Sequence, residues 1–315
     1  MTWRRRPSPR RSRGAALLIA MSLLVLVSTL ASGMVWQQHR AIEVEAAERS
    51  RVQSAWILNG ALDWARLILR EDARSPGPTA LSEPWATPLA EARLSTFLAT
   101  DKDHNVDSGP DAFLSGSIVD LQSRYNLRNL VDGNKVIEAE LATLQRLCEA
   151  AGLPTDTAAR IAEGLRAAWA GGDAQGSATP LVPRTVAQLQ WLGLDPAVLD
   201  RLQNFVVLLP VSTTVNVNTA DAEVIAAVTP GLDPGAAQAL VQARQRGAYA
   251  SVEAARKQAP SLDPKNVGVR SNYFEVRGKL RLDERALEER SIVERRGVEV
   301  VTILRERVAS VVADR

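Results

Sequence analysis

Residues 15–36 carry no charge, and six arginines stand before them: Arg4, Arg5, Arg6, Arg10, Arg11 and Arg13. As a helix rising 1.5 Å per residue, that run reaches about 33 Å, enough to cross the hydrocarbon core of a bilayer. Basic residues beside a first span stay on the cytoplasmic side. The leader is therefore expected inside, and everything after Trp36 exported.

A secretory signal peptide also opens with a basic n-region, but its apolar stretch is shorter and ends at a small-x-small cleavage site. Here the apolar run flows directly into helix-forming residues. The small residue at a plausible processing point, Gly14, precedes the run, so a cut there removes the charges and keeps the helix. That layout resembles a type IV prepilin leader.

Composition fits an exported chain of one or two domains, with net charge near zero and an ordinary apolar fraction. The basic balance sits in the leader, and the remainder is net acidic once residues 1–14 are removed, so no polyanion partner is expected. Cys148 is the only cysteine. It cannot form an internal disulfide, and its flanks Leu144, Leu147 and Ala151 suggest a buried helical position.

Beyond the membrane the helix is expected to continue. Val52, Ala55, Leu58, Leu62, Ala65 and Leu69 recur at spacings of three and four, with Asn59, Asp63, Arg66 and Arg70 on another face. This stripe is the expected helix-against-helix seam with partners. The helix should end near Asp72, because Ser75-Pro76-Gly77-Pro78 cannot continue it.

Period-two alternation predicts strands in two separated places. Val119, Leu121, Tyr125 and Leu127 mark the first, and Phe274, Val276, Leu280 and Leu282 the second, with further strands at 287–295 and 298–308 joined by a turn at Arg296-Gly297. The intervening region reads as a helical insertion. Gly152-Leu153-Pro154, Gly193-Leu194-Asp195-Pro196 and Gly231-Leu232-Asp233-Pro234 each separate two apolar-periodic helices: glycine ends the first helix, and aspartate and proline start the second.

The last of these hairpins, from Val215-Asn216-Val217-Asn218-Thr219-Ala220 to Tyr249, resembles the helix-hairpin-helix motif, in which backbone N–H groups at a helix start receive a phosphate. This chain carries Asp233 where the DNA-binding form has a second glycine. Acidic and basic residues balance between Asn216 and Gln258, leaving no basic stripe.

With the layout in place, the chain resembles the minor pseudopilin K family of the type II secretion system. The residues that carry the resemblance are Arg13-Gly14-Ala15-Ala16-Leu17-Leu18-Ile19, Ser82-Glu83-Pro84-Trp85-Ala86, Asp120-Leu121-Gln122-Ser123-Arg124-Tyr125-Asn126-Leu127 and the last hairpin. Most pilins carry glutamate at the fifth mature position; counted from Ala15 that position is Ile19, and the K family is similar in lacking the acid.

The resemblance implies an α+β fold: a pilin-like long N-terminal helix packed on a small antiparallel sheet, with a large inserted all-α domain of SAM-like, helix-hairpin-helix-like hairpins. The expected segments are a cleaved leader (1–14), a transmembrane helix (15–36), stem and first part of the sheet (37–127), helical insertion (128–270) and C-terminal strands (271–315). It also implies cleavage after Gly14 by prepilin peptidase, N-methylation of Ala15, and a place at the pseudopilus tip in the inner membrane, with the C-terminal domain periplasmic. Implied partners are the I, J and H minor pseudopilins, the major pseudopilin and the inner-membrane assembly platform.

Enzymatic chemistry finds no constellation in this sequence. His39 and His104 stand without nucleophile or metal-ligand spacing, and no phosphate-cradling loop appears. The run Asp101-Lys102-Asp103-His104-Asn105-Val106-Asp107 begins like a calcium loop but lacks its glycine and has Ala112 where the bidentate glutamate would fall. The resemblance implies calcium in the loop after Trp169. That loop keeps Asp173 and few other carboxylates, so any calcium there is expected to be weakly held. The alternative to a pseudopilin is a membrane-tethered helix-hairpin-helix receptor for DNA uptake. A signal-anchored periplasmic hydrolase has no residue set to argue for it.

Overall fold

The computed structural model describes residues 13–75, 77–94, 112–170, 181–282 and 285–310. The chain divides into two units, one reaching Ile57 and the other running from Leu58 to Arg315. Helix α1 (Arg13–Arg74) supplies all the described secondary structure of the first and opens the second. It stops two residues beyond the expected Asp72, where Ser75 donates back to the Asp72 carbonyl.

Five strands form one antiparallel sheet, and their spatial order follows the sequence: β1 (Leu89–Arg93), β2 (Ala112–Asp120), β3 (Tyr273–Leu282), β4 (Arg285–Arg296) and β5 (Glu299–Ser310). β2 pairs with β3 over the whole of its length, Ala112 opposite Leu282 and Asp120 opposite Phe274. The helical part of the chain leaves and rejoins the sheet between these two neighbours. The β4–β5 hairpin turns at Arg296-Gly297 as expected, and β5 carries an extra residue at Ile303 where the register shifts.

Two sequence readings are corrected here. The first strand that meets the C-terminal strands lies at 112–120 and overlaps the expected stretch only at Val119 and Asp120; after Asp120 the chain makes short 3-10 turns at Leu121–Ser123 and Leu127–Leu130, with Tyr125–Asn126 between them pairing in parallel with Val206–Val207. Alternation misled because the polar positions Asp120, Gln122 and Asn126 are buried as well as Leu121, Tyr125 and Leu127. β1, an edge strand with a bulge, was not anticipated, since Leu-Ala-Glu-Ala-Arg carries neither β-branching nor alternation.

One face of the sheet packs on α1. Leu62, Ala65 and Leu69 meet Trp85, Phe274, Val276, Val293 and Val300 in a single core. Trp85 and Phe274 stand edge to face, centroids 5.2 Å apart. The other face, with Tyr273 and Ile292, meets Leu121, Val207 and Leu209. Glu275 is buried among these side chains and ion-paired by both Arg277 and Arg290, which neutralise a charge that burial alone would forbid.

The inserted helices are α2 (Glu138–Ala150), α3 (Thr157–Ala170), α4 (Pro196–Leu202), α5 (Ala222–Val228), α6 (Pro234–Arg246) and α7 (Val252–Arg256), around one apolar core. Their corners follow the repeated motif. Gly152, Gly193 and Gly231 all take positive φ, and Asp195 and Asp233 cap the helices that follow. Cys148 is buried on α2 as expected, and burial pushes its thiol up to about 11.

A buried polar knot fastens the helical part to the sheet. The Asp120 carboxylate accepts from the Gln122 amide (2.8 Å), Asn216 Nδ2 (3.1 Å) and the hydroxyls of Thr219 and Ser271 (both 2.6 Å). Asn216 also donates to the Thr79 carbonyl (3.0 Å), which brings in the loop after α1. Arg295 completes the junction by pairing with Asp72 near the end of α1 and donating to Thr79 Oγ1 and the Ser271 carbonyl.

Candidate functional site: anchor helix, stem and hairpin

In the first part of α1 the apolar side chains point away from any protein partner. Leu17, Leu18, Ile19, Leu23 and Val27 are all exposed, and the most apolar window of the helix, with mean hydropathy 2.3, has none of its residues buried. Two hydroxyls within the run bond back to the helix: Ser22 donates to the Leu18 carbonyl (2.8 Å) and Thr29 to that of Leu26 (2.9 Å). A helix whose backbone groups pair along its own length and whose exposed surface is largely apolar is suited to lipid. At its far end the Arg40 guanidinium lies over the Trp36 ring, 5.6 Å from the centroid. Such aromatic and cationic pairs belong at a membrane–water boundary. Polar residues then take over, with Glu45 and Arg49 paired at 2.8 Å.

Ala15 and Ile19 are both exposed on this helix. Gly14 lies in its first turn, and residues 1–12 of the leader lie outside the described residues.

The stem stripe is not the open seam expected from its spacing. Leu58, Leu62, Ala65 and Leu69 are buried, the last three in the core that α1 shares with its own sheet. Val52 is exposed and Ala55 half-buried. The periodicity marks a packing face correctly, but the protein's own strands occupy most of it. On the flank, Arg66 donates from Nε (3.0 Å) and Nη2 (2.8 Å) to the Val300 carbonyl on the edge strand β5, occupying an acceptor that a strand edge would otherwise expose.

The helix-hairpin-helix corner is closed by its own side chain. Asp233 Oδ2 accepts from the amides of Gly235 (2.8 Å) and Ala236 (3.2 Å), the donors that a phosphate would need at the start of α6. Arg244 turns inward, donating to the carbonyls of Val217 (2.7 Å) and Ala220, and burial draws its pKa down. The hairpin therefore spends its donors on itself. Asp233→Ala is expected to cost about 1 kcal/mol through loss of this N-cap, read as a lower urea midpoint with an unchanged slope.

Among the described residues, no group of three or more His, Cys, Asp or Glu is arranged to hold a metal ion. Asp173 lies outside the described residues, as does the Asp101–Asp107 run. His39 is exposed, 3.5 Å from Glu43.

Sequence reasoning did not find the Glu83–Trp85 lock. The Glu83 carboxylate accepts from the Ala80 amide (3.0 Å) and the Trp85 indole (2.7 Å), and partial burial raises its pKa. The Ser82-Glu83-Pro84-Trp85 run was the available signal: a proline that starts a 3-10 turn holds the acid and the indole on one side.

Two family models, both described as type II secretion system (T2SS) protein K, match residues 123–211 and 215–277. The type II secretion system protein K of Pseudomonas aeruginosa is 28% identical over 305 residues, covering 88% of this chain and 86% of the relative. That of Pectobacterium carotovorum subsp. carotovorum is 27% identical, covering 94% and 96%. A chain of the crystal structure of the GspK-GspI-GspJ complex from the enterotoxigenic Escherichia coli type 2 secretion system superposes with a TM-score of 0.61 at 17% identity, over 84% of this chain and 99% of that one. The fold is that of this neighbour.

Proposed function

Since the chain belongs to the type II secretion system protein K family, we propose that it is a minor pseudopilin, a membrane-anchored assembly subunit without enzymatic activity that forms the tip of a periplasmic pseudopilus and helps initiate it. One observation carries the reading: a single helix bears a fully exposed apolar stretch at one end and, at the other, a stripe packed on an antiparallel sheet. In this reading prepilin peptidase cuts after Gly14 and methylates Ala15. The helix holds the subunit in the inner membrane, N-terminus cytoplasmic, until assembly.

Ile19 supports the place at the tip. A carboxylate within lipid is costly and would seek the terminal amine of a neighbouring subunit; isoleucine makes no such demand, so no subunit is required above. The helical part, residues 128–270, is then an insertion into a pilin-like body at 37–127 and 271–315, free of the need to fit beneath another layer. The similar Escherichia coli protein is crystallised with GspI and GspJ, which makes the I and J types the first partners to test here, followed by the H type, the major pseudopilin and the assembly platform. Val52, exposed on the helix, is the member of the stripe available to neighbouring stems. The DNA-receptor alternative is disfavoured by the Asp233 carboxylate seated on the helix-start amides.

Mass spectrometry of chain purified from membranes is expected to find a mature N-terminus at methylated Ala15, and Gly14→Val to leave the leader uncut and block secretion. A mature chain starting downstream of Trp36, or normal processing of the variant, would overturn the proposal.

A further inference from the structure

Between α1 and the sheet lies a groove of about 340 Å³, walled by Leu58, Ala61, Trp64, Ile68 and Leu89. At one level of the sheet, Leu89, Gly116, Gly278 and Glu289 stand opposite one another in register across four strands. The two glycines keep this level bare. A Cβ on Gly278 would stand 3.2 Å from Leu58 Cδ2, and one on Gly116 2.8 Å from the Arg277 carbonyl oxygen.

Glu289 also lines the groove, and its side chain is only 3% exposed. One oxygen, Oε1, accepts from Arg305 Nε. The other, Oε2, is buried and makes no hydrogen bond among the described residues; Arg307 Nε stands 3.7 Å from it, beyond hydrogen-bonding reach. Two guanidiniums already balance the charge. What the site lacks is one neutral N–H or O–H donor, delivered on an apolar body through an apolar groove.

Tryptophan and tyrosine side chains have that composition, and they are the side chains that anchor protein contacts in pockets. The same groove holds an internal precedent, since Trp85, one of its lining residues, donates its indole N–H to a carboxylate, Glu83, at 2.7 Å. We propose that the groove is an anchor pocket for an aromatic donor side chain, tryptophan or tyrosine, of another protein chain, its N–H or O–H donating to Oε2 of Glu289. The inference goes beyond the pseudopilin reading, because it fixes the chemistry of a contact and holds whichever protein supplies the ring.

The test uses the full chain in lipid nanodiscs with 5-fluoroindole and its N-methyl derivative as probes, followed by fluorine NMR line broadening. 5-Fluoroindole is expected to bind about tenfold more tightly than the N-methyl compound, the ratio one hydrogen bond to a charged acceptor supplies. Ala61→Trp, which fills the groove from a half-buried position on α1, should abolish the protein-dependent broadening and leave only partition into lipid. Glu289→Met should bring the two probes to equal affinity. Should that variant fail to fold, the comparison of the two probes on the wild-type chain and on Ala61→Trp still decides. Equal binding of both probes to the wild type, no binding of either, or undiminished binding to Ala61→Trp would each overturn the proposal.

Discussion

Replacing Phe274 by alanine is expected to cost about 3–5 kcal/mol of stability, the range for deleting a fully buried aromatic ring. The ring is completely buried and stands edge to face with Trp85, with the Arg295 guanidinium 5.2 Å from its centroid on β4. It thus touches the 3-10 turn after the stem and the side chain that holds the end of α1. Truncation leaves a cavity at the centre of the helix–sheet core, and Trp85 loses its partner. Urea unfolding of the full chain in detergent, followed by tryptophan fluorescence, reads the loss as a lower midpoint. A change below about 1 kcal/mol would mean that the core can collapse onto the gap and that α1 is held mainly elsewhere.

Asp120→Ala is expected to cost about 3 kcal/mol, because the buried donors of Gln122, Asn216, Thr219 and Ser271 all lose an acceptor at once. Part of this is recoverable, since Asn216 keeps the Thr79 carbonyl and Thr219 can turn to the Asn216 carbonyl. Asparagine is not a neutral substitute: it offers one acceptor oxygen and directs its own N–H groups at donors. Limited proteolysis adds a structural readout, with cleavage expected between the sheet and the helical part in the variant at protease levels that spare the wild type.

The pH dependence of Asp120 has a definite sign. Burial holds its carboxyl above the usual range, against the four hydrogen bonds that favour the ionised form. The folded pKa therefore lies above the unfolded one. The stability linked to this shift is fully present below the unfolded value and is lost as pH rises through the folded value. Mild acid should accordingly narrow the cost that this one group imposes on the wild type. The Asp120→Ala chain lacks that component, and its unfolding free energy should vary less across the same interval.

Parts of this architecture were legible because their causes are local. The hairpin at Arg296-Gly297 follows from alternation in the two strands and a turn residue between them. The corners at Gly193-Leu194-Asp195-Pro196 and Gly231-Leu232-Asp233-Pro234 follow from a left-handed residue, a capping carboxylate and a proline within four positions. The 112–120 strand was misplaced for the opposite reason. Asp120, Gln122 and Asn126 are polar by identity and interior by circumstance, because their partners Asn216, Thr214 and Val211 lie far along the chain. A period-two reading assigns polar residues to solvent and has no means of seeing those partners.

The candidate functional surface divides in the same way. An apolar face on the stem is visible in the spacing of Leu58, Leu62, Ala65 and Leu69, but spacing does not say whether the surface that covers it belongs to this chain or to another. Glu289 is a further case: an acid in a charged strand reads as a solvated side chain, and only its place beneath α1, beside Gly278, makes it a buried acceptor.

By itself the sequence determined the long apolar helix, the helical corners and the last hairpin, because hydrophobic transfer and local φ/ψ preference act within a few residues. The tertiary structure alone decided that β2 pairs with β3 across the intervening helices, that Leu62, Ala65 and Leu69 of the stem stripe are covered by the protein's own sheet, and that buried carboxylates find their donors. Each of those outcomes depends on segments far apart in the chain meeting in space, and a residue's identity does not record the partner it will meet.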